Sequence, residues 1–248
     1  MSSALLEVAS VSKSFGGVVA NREISLNVPE GKIIGLIGPN GSGKTTLFNS
    51  IVGYHPVDSG SIRFNNKEIT KLLVPQIARL GMLRTFQQTR IYGRMTCIQN
   101  LQISMPLAEQ SVKSIFKPVH HEDMEQIEEM LSFVGLHAKR HLLAGDLSFG
   151  QQKLLEFAMA LIAEPKLLLL DEPPAGINPT LINGLIDRLK VANKELGITL
   201  FIIEHNMRVI MNIADHIYCL AHGKLLAEGS PEQIQNDQTV IDAYLGAN

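Results

Sequence analysis

The stretch from Ile33 to Thr46 constrains this chain more than any other. Ile33-Ile34-Gly35-Leu36-Ile37 is a short, continuous apolar run, the pattern of a parallel strand covered on both faces. It leads into Gly38-Pro39-Asn40-Gly41-Ser42-Gly43-Lys44-Thr45-Thr46, which matches the phosphate-loop pattern G-x-x-x-x-G-K-[ST], and a helical stretch from Thr45 to Val52 follows. Strand, glycine-rich turn and helix form the context that pattern requires. The glycines let backbone amides turn inward around phosphate oxygens, and the positive end of the helix adds to them. Lys44 places a mobile ammonium on the terminal phosphates, and Thr45 can supply a hydroxyl to magnesium. The segment commits the chain to an α/β fold.

Two more apolar runs extend the sheet. Leu167 to Leu170 and Leu200-Phe201-Ile202-Ile203 share the continuous pattern, and between them Leu181, Leu185, Ile186 and Leu189 mark one face of a helix from Leu181 to Ala192. Ahead of the phosphate loop the pattern becomes alternation, from Leu6 to Val11 and from Ile24 to Val28. This predicts half-buried antiparallel strands before a Pro29-Glu30-Gly31 turn. Residues 88–154 lack strand runs; a polar stretch from Glu109 to His121 precedes a helical period at Met124, Ile127, Leu131 and Val134. With no internal repeat or flexible linker, the expected organisation is a single domain over 1–248. Its core comes from 1–87 and 155–248, and 88–154 is a helical subdomain whose ends return to that core.

The run from Leu167 ends in Asp171 and Glu172, at the carboxyl end of a parallel strand, where ligands of open α/β sheets bind. The pair suits a metal and a water: Asp171 to organise the magnesium shell, Glu172 to orient or deprotonate the water attacking a terminal phosphoryl group. Leu147-Ser148-Phe149-Gly150-Gln151-Gln152 precedes a helix with apolar residues at Leu154, Leu155, Ala158, Leu161 and Ile162. Ser148 with Gln151 three residues on is a capping box, which by itself would account for both side chains. A serine hydroxyl beside free amides at a helix start is also what a phosphate needs. His120-His121 before Glu122-Asp123 fits no metal-ligand spacing and reads as a solvated loop.

Composition narrows the classes of function. Hydrophobic residues at 45% exclude disorder, and 22 basic against 24 acidic side chains leave a formal charge of −2, so no basic field holds nucleic acid or anionic lipid. Membrane association therefore has to come through a protein partner. No apolar stretch approaches the roughly 20 residues that a bilayer requires, and acidic Glu7 falls where a signal peptide would be apolar. Cys97 and Cys219 have no metal-ligand spacing and read as reduced thiols of a cytosolic protein.

These motifs together resemble the ATP-binding cassette family, the nucleotide-binding subunits of ABC transporters, almost from end to end. The resemblance implies a P-loop NTPase parallel-sheet core, an antiparallel β subdomain and an inserted α-helical subdomain, with ATP and Mg2+ as ligands. It implies ATP contacts from Phe15, Gly38, Asn40, Gly41, Ser42, Gly43, Lys44, Thr45 and Thr46. Phe15 resembles the aromatic platform under adenine, a core aromatic being the alternative. The family's Leu-Ser-Gly-Gly-Gln signature grips the terminal phosphate of ATP held by the other cassette. Ser148, Gly150 and Gln151 are thereby implied to act across a dimer, with Phe149 departing from the usual small residue. Gln87, in Arg84-Thr85-Phe86-Gln87-Gln88, looks like the glutamine that joins the core to the helical subdomain and touches magnesium or water. His205 is similar to the switch histidine that bonds the terminal phosphate and steadies the catalytic carboxylate. The implied catalytic set is Glu172, His205, Gln87 and Lys44, and the implied magnesium ligands are Thr45, Gln87 and Asp171. Ala175-Gly176-Ile177-Asn178 stands where the family has Ser-Ala-Leu-Asp, so Asn178 keeps hydrogen bonding without the charge.

Finer wording points within the family. Phe15-Gly16-Gly17, Met95-Thr96, Glu204-His205-Asn206-Met207 and Ala243-Tyr244-Leu245-Gly246 resemble the ATPases of importers for branched-chain, neutral or other hydrophobic amino acids. Urea importers and the lipopolysaccharide exporter share much of it, and soluble ABC proteins acting on nucleic acid or ribosomes form a further alternative. The implied partners are a second cassette, identical or a sister ATPase, two transmembrane permease subunits, and a periplasmic or extracellular binding protein; no nucleic acid is implied. The implied location is the cytoplasmic face of the plasma membrane. The stretch from Gln87 to Leu101 is expected to receive a short permease helix, with Met95 and Ile98 at the contact.

Overall fold

In the computed structural model, which describes residues 4–85, 91–106, 121–176 and 179–245, the chain opens with two long antiparallel strands, β1 (Ala4–Phe15) and β2 (Val18–Pro29). Leu6, Val8 and Val11 of β1 and Ile24, Leu26 and Val28 of β2 are buried, so the alternation turns one face of the pair into a core. With β4 (Ser59–Phe64) and β5 (Lys67–Glu68) they form an antiparallel sheet in the order β2-β1-β4-β5.

A second sheet holds β3 (Ile33–Ile37), β6 (Met82–Arg84), β7 (Leu167–Asp171), β8 (Thr199–Ile203), β9 (His216–Ala221) and β10 (Lys224–Gly229). Its order is β10-β9-β3-β8-β7-β6, parallel throughout except for the antiparallel edge strand β10. Every residue of β3, β7 and β8 is buried, as continuous apolar runs require. Helix α1 (Lys44–Ile51) buries Leu47, Phe48 and Ile51 in the same core, where the Phe48 and Phe201 ring centroids lie 4.8 Å apart. The strand order sets the carboxyl ends of β3, β8 and β7 side by side, with Ile203 level with both Leu36 and Asp171. The loops leaving these three strands carry Gly38, Glu204 and Glu172.

The chain divides into two compact units. One, from Met1–Arg84, Lys166–Pro173 and Asn193–Asn248, contains both sheets, α1, α2 (Val74–Arg79), α7 (Met207–Ile213), α8 (Pro231–Gln235) and α9 (Gln238–Leu245). The other, from Thr85–Pro165 and Pro174–Ala192, is helical: α3 (Cys97–Ser104), α4 (His121–Phe133), α5 (Phe149–Ile162) and most of α6 (Pro179–Lys194). Helices α3, α4 and α5 pack on one another, and Cys97, Leu101, Ile127, Leu131, Leu155 and Ala158 on them are buried. This unit reaches beyond residues 88–154 because α5 continues unbroken to Ile162. Helix α6 joins it, Arg188 Nε donating to the Phe133 carbonyl at 2.9 Å.

Two local expectations are corrected. Ile98 is only 8% exposed, so it belongs to the packing of the helical unit, and a charge there would break that packing before it met a partner. His121 opens α4 instead of lying in a loop; its side chain is exposed, with Nδ1 3.4 Å from Glu125 Oε1. Glu122 and Asp123 fall in the first turn, where the helix dipole favours acidic groups. Among the described residues no group of three His, Cys, Asp or Glu is arranged to hold a metal, and no helix is long and apolar enough to cross a membrane.

Candidate active site

The phosphate loop is held open by backbone that only glycine accommodates. Gly38 has φ 144° and lies so close to the Leu220 carbonyl that any side chain would collide with it; Gly43, at φ 99°, is similarly pressed against the Ala20 carbonyl. Asn21, fully buried on β2, stitches the loop from behind, its Nδ2 donating to the Gly43 carbonyl at 3.1 Å. Gly43 caps α1 in the left-handed conformation with no side-chain hydrogen bond, which leaves the first amides of the helix for an anion.

Lys44 is 7% exposed, and its ammonium donates to the Gly38 carbonyl at 2.7 Å, the Pro39 carbonyl at 3.0 Å and Ser42 Oγ at 3.4 Å. Burial pulls its pKa below the ordinary lysine value, and the nearby Glu172 and Asp171 carboxylates offset this only in part. All three of its acceptors are oxygens of the loop itself. Thr45 faces solvent, and Thr46 is half-buried beside it.

Asp171 and Glu172 are adjacent in sequence and opposite in setting. Asp171, 3% exposed, forms a buried ion pair with Arg84 on the neighbouring strand β6, Oδ2 to Nη2 at 2.7 Å. The same guanidinium donates from Nη1 to Asn49 Oδ1 at 2.5 Å, which ties the strand end to α1. Arg84 therefore claims one oxygen of Asp171. Glu172 leaves the strand in the left-handed conformation, φ 49°, which costs a non-glycine residue about 1–2 kcal/mol. Its amide donates to the Ile203 carbonyl at 3.0 Å, and its Oε1 lies 3.3 Å from His205 Nδ1. Backbone strain at such a position is retained where the surroundings over-determine it, as at a reacting group.

Glu204 sets the histidine. Its side chain is buried, and Oε1 accepts the amides of His205 at 3.1 Å and Asn206 at 2.8 Å, so the turn leaving β8 is folded around that oxygen. Burial raises the Glu204 pKa, with those amides and His205 acting in the other direction. Phe15 ends β1 at 44% exposure, edge-on to His55 with centroids 5.2 Å apart and with Lys13 Nζ 5.2 Å from its ring centre. It is an exposed aromatic and not a core one.

The core unit thus brings together the loop from Gly38 to Thr46, Asp171, Glu172 and His205. Ser148, Gly150 and Gln151 lie at the start of α5 in the helical unit, and there the capping box is formed: Ser148 N donates to Gln151 Oε1 at 3.1 Å and Gln151 N to Ser148 Oγ at 3.4 Å. Lys139 Nζ also donates to Gln151 Oε1, at 3.2 Å. Phe149, the departure from the signature, rests its ring on Gly176, where a Cβ would come within 2.6 Å of it. Gln87, Gln88 and Asn178 lie outside the described residues. Sequence reasoning gave no role to Arg84, Asn49, Asn21 or Glu204; Arg84 and Glu204 stood inside quoted motifs, whereas the two asparagines carry no local signal.

A phosphate cradle at one strand end, with two carboxylates and a histidine at the next two, can bind a nucleoside triphosphate and direct a water at it. Residues 21–175 match the family model described as ABC transporter. The chain belongs to the ATP-binding cassette family. Residues 224–248 of this cassette match a second model, described as branched-chain amino acid ATP-binding cassette transporter. The cassette is 38% identical to the high-affinity branched-chain amino acid transport ATP-binding protein BraF of Pseudomonas aeruginosa, with 99% of each chain covered. It is equally identical, over 99% of each chain, to LivG of Escherichia coli, which carries the same description. Among solved structures it resembles an ATP-binding cassette of an ABC transporter in its ADP conformation, at 34% identity and a TM-score of 0.86, covering 99% of this chain and all of that one.

Proposed function

We propose that this cassette is the ATP-hydrolysing subunit of an importer for branched-chain, neutral or other hydrophobic amino acids, bound peripherally at the cytoplasmic face of the plasma membrane. The observation that carries this is 38% identity over nearly the whole length to the BraF and LivG proteins. Adenine rests on Phe15. The amides of the loop and of α1 hold the phosphates, and Lys44 turns from the Gly38 and Pro39 carbonyls to a phosphate oxygen. The oxygen donors fit magnesium: the exposed Thr45 hydroxyl and the Asp171 oxygen not taken by Arg84 would hold it, with Gln87. When bound, the ion neutralises charge on the terminal phosphates. Glu172 accepts the proton of the attacking water, its carboxylate aimed by the left-handed backbone and by His205. Ser148, Gly150 and Gln151 serve the nucleotide of a second cassette, and closure of the pair drives two permease subunits fed by a binding protein outside the membrane.

Tagged cassette purified from detergent-solubilised membranes tests this reading. It should bring down two integral membrane subunits, and in proteoliposomes its ATPase should rise with a binding protein loaded with leucine. Stimulation by urea in place of amino acids would move it to the urea importers. Recovery with nucleic acid or ribosomes and no membrane subunit would overturn it.

A further inference from the structure

The Gly38 amide, the first of the phosphate loop, donates to the hydroxyl of Tyr244 at 2.8 Å. Tyr244 is more than two hundred residues away in sequence, on α9, and the Gly38 carbonyl on the other side of the same residue accepts from Lys44 at 2.7 Å. Gly38 is thus gripped at both of its polar groups, by the cationic residue of the loop and by the last helix of the chain. The neighbours of Tyr244 face the same loop: Asp242 and Ala243 border a cavity of about 300 Å³ together with Pro39, Asn40, Gly41, Ser42 and His222. Tyr244 also lines an apolar groove of about 540 Å³ with Met207 and Met211 of α7, the helix that begins two residues after His205. One residue therefore bonds the loop that carries Lys44 and borders a groove shared with the helix that follows His205.

We infer that Tyr244 is a positioning residue for nucleotide binding: its hydroxyl fixes the first amide of the phosphate loop, and α9 is coupled to the occupancy of that loop. The ring is partly buried and burial pushes its pKa up to about 12, so the hydroxyl stays protonated at physiological pH and the contact does not depend on pH there. Coupling of this kind is reciprocal: if α9 stabilises the loop geometry that binds phosphate, bound phosphate stabilises α9.

The inference rests on the assignment of the loop as the nucleotide site, and the test separates the two. Tyr244→Phe keeps the ring and removes the hydroxyl. ATP, ADP and pyrophosphate should all bind roughly tenfold more weakly by calorimetry, because without the hydroxyl the Gly38 amide is no longer held and about nine in ten empty loops leave the geometry that binds phosphate. KM for ATP should rise by a similar factor while kcat at saturation stays within about twofold. In the native protein ATP should slow hydrogen exchange of the α9 amides, and in Tyr244→Phe that protection should vanish. A lowered thermal midpoint with unchanged affinities would make the hydroxyl structural and overturn the inference. So would unchanged affinities in Tyr244→Phe beside a clear loss in Lys44→Ala, which would leave the loop assignment standing. If Lys44→Ala also bound nucleotide normally, the assignment would fall with it.

Discussion

Helices α1 and α5 both start where the sequence resembles a phosphate-holding motif, and they are capped in different ways. At α1 the cap is a left-handed glycine without a side chain, and the adjacent cation is bonded only to oxygens of its own loop. At α5 the cap is Ser148, whose hydroxyl and amide are both engaged with Gln151. The first end is built open, with glycine backbone, buried Asn21 and Tyr244 doing the shaping from outside. The second is capped by its own side chains, Ser148 Oγ accepting from Gln151 N, which leaves the hydroxyl proton of Ser148 as the group that can be offered to a phosphate. On the proposed function, the first end binds nucleotide unaided and the second answers only to phosphate supplied by another cassette.

Substitutions at the two ends sharpen that contrast, beginning with the largest effect. Glu172→Gln keeps size and hydrogen bonding but cannot take the proton of water. Phosphate release should fall by about 10² to 10⁴, with ATP affinity retained because the groups around α1 are untouched. Near-normal turnover would remove Glu172 from the chemistry and leave His205, 3.3 Å away, as the next candidate. Lys44→Ala removes the buried cation from the open end. A loss of about 2–5 kcal/mol in nucleotide affinity is expected from truncating one member of a buried charged contact, measured by calorimetry on monomer.

Ser148→Ala should do the reverse. It deletes an N-cap, worth about 1 kcal/mol of stability, read as a lower urea midpoint, while nucleotide affinity of the monomer stays unchanged. A loss of monomer affinity would break the comparison. The smallest effect is a slope. Burial raises the folded-state pKa of Glu204 above its usual 4.5, so the folded protein binds that proton more tightly than the unfolded chain does. The associated stability is complete below the unfolded value and is lost as pH rises through the folded one. Glu204→Gln should flatten that descent, followed by thermal melts from acid to neutral pH.

How much of this could be read from the sequence depends on the range of the interaction. The runs at Ile33, Leu167 and Leu200 announced strands buried on both faces because burial there is a local property of composition. The run from Ile217 to Ala221 meets the same criterion and forms β9, whereas the edge strand β10 beside it alternates and has no such run. The phosphate loop and the Asp171-Glu172 pair were legible since spacing alone defines them. The grip of Arg84 on Asp171 was not, because it depends on β6 lying beside β7, a pairing across more than eighty residues. Phe149 stood out as a misfit until Gly176 supplied the space for its ring. The end of the helical unit escaped for a related reason: α5 crosses residue 154 without any break that a sequence pattern could mark.

The central claim is that α5 contributes only across a pair of cassettes, and its most direct test is turnover per chain against protein concentration, with light scattering reporting the assembly state and the sister ATPase added as a control. Turnover should fall on dilution from micromolar to nanomolar as dimers dissociate, and Ser148→Ala should abolish the concentration dependence by lowering the upper plateau. Constant turnover per chain across that range, with only monomers in solution, would contradict the claim.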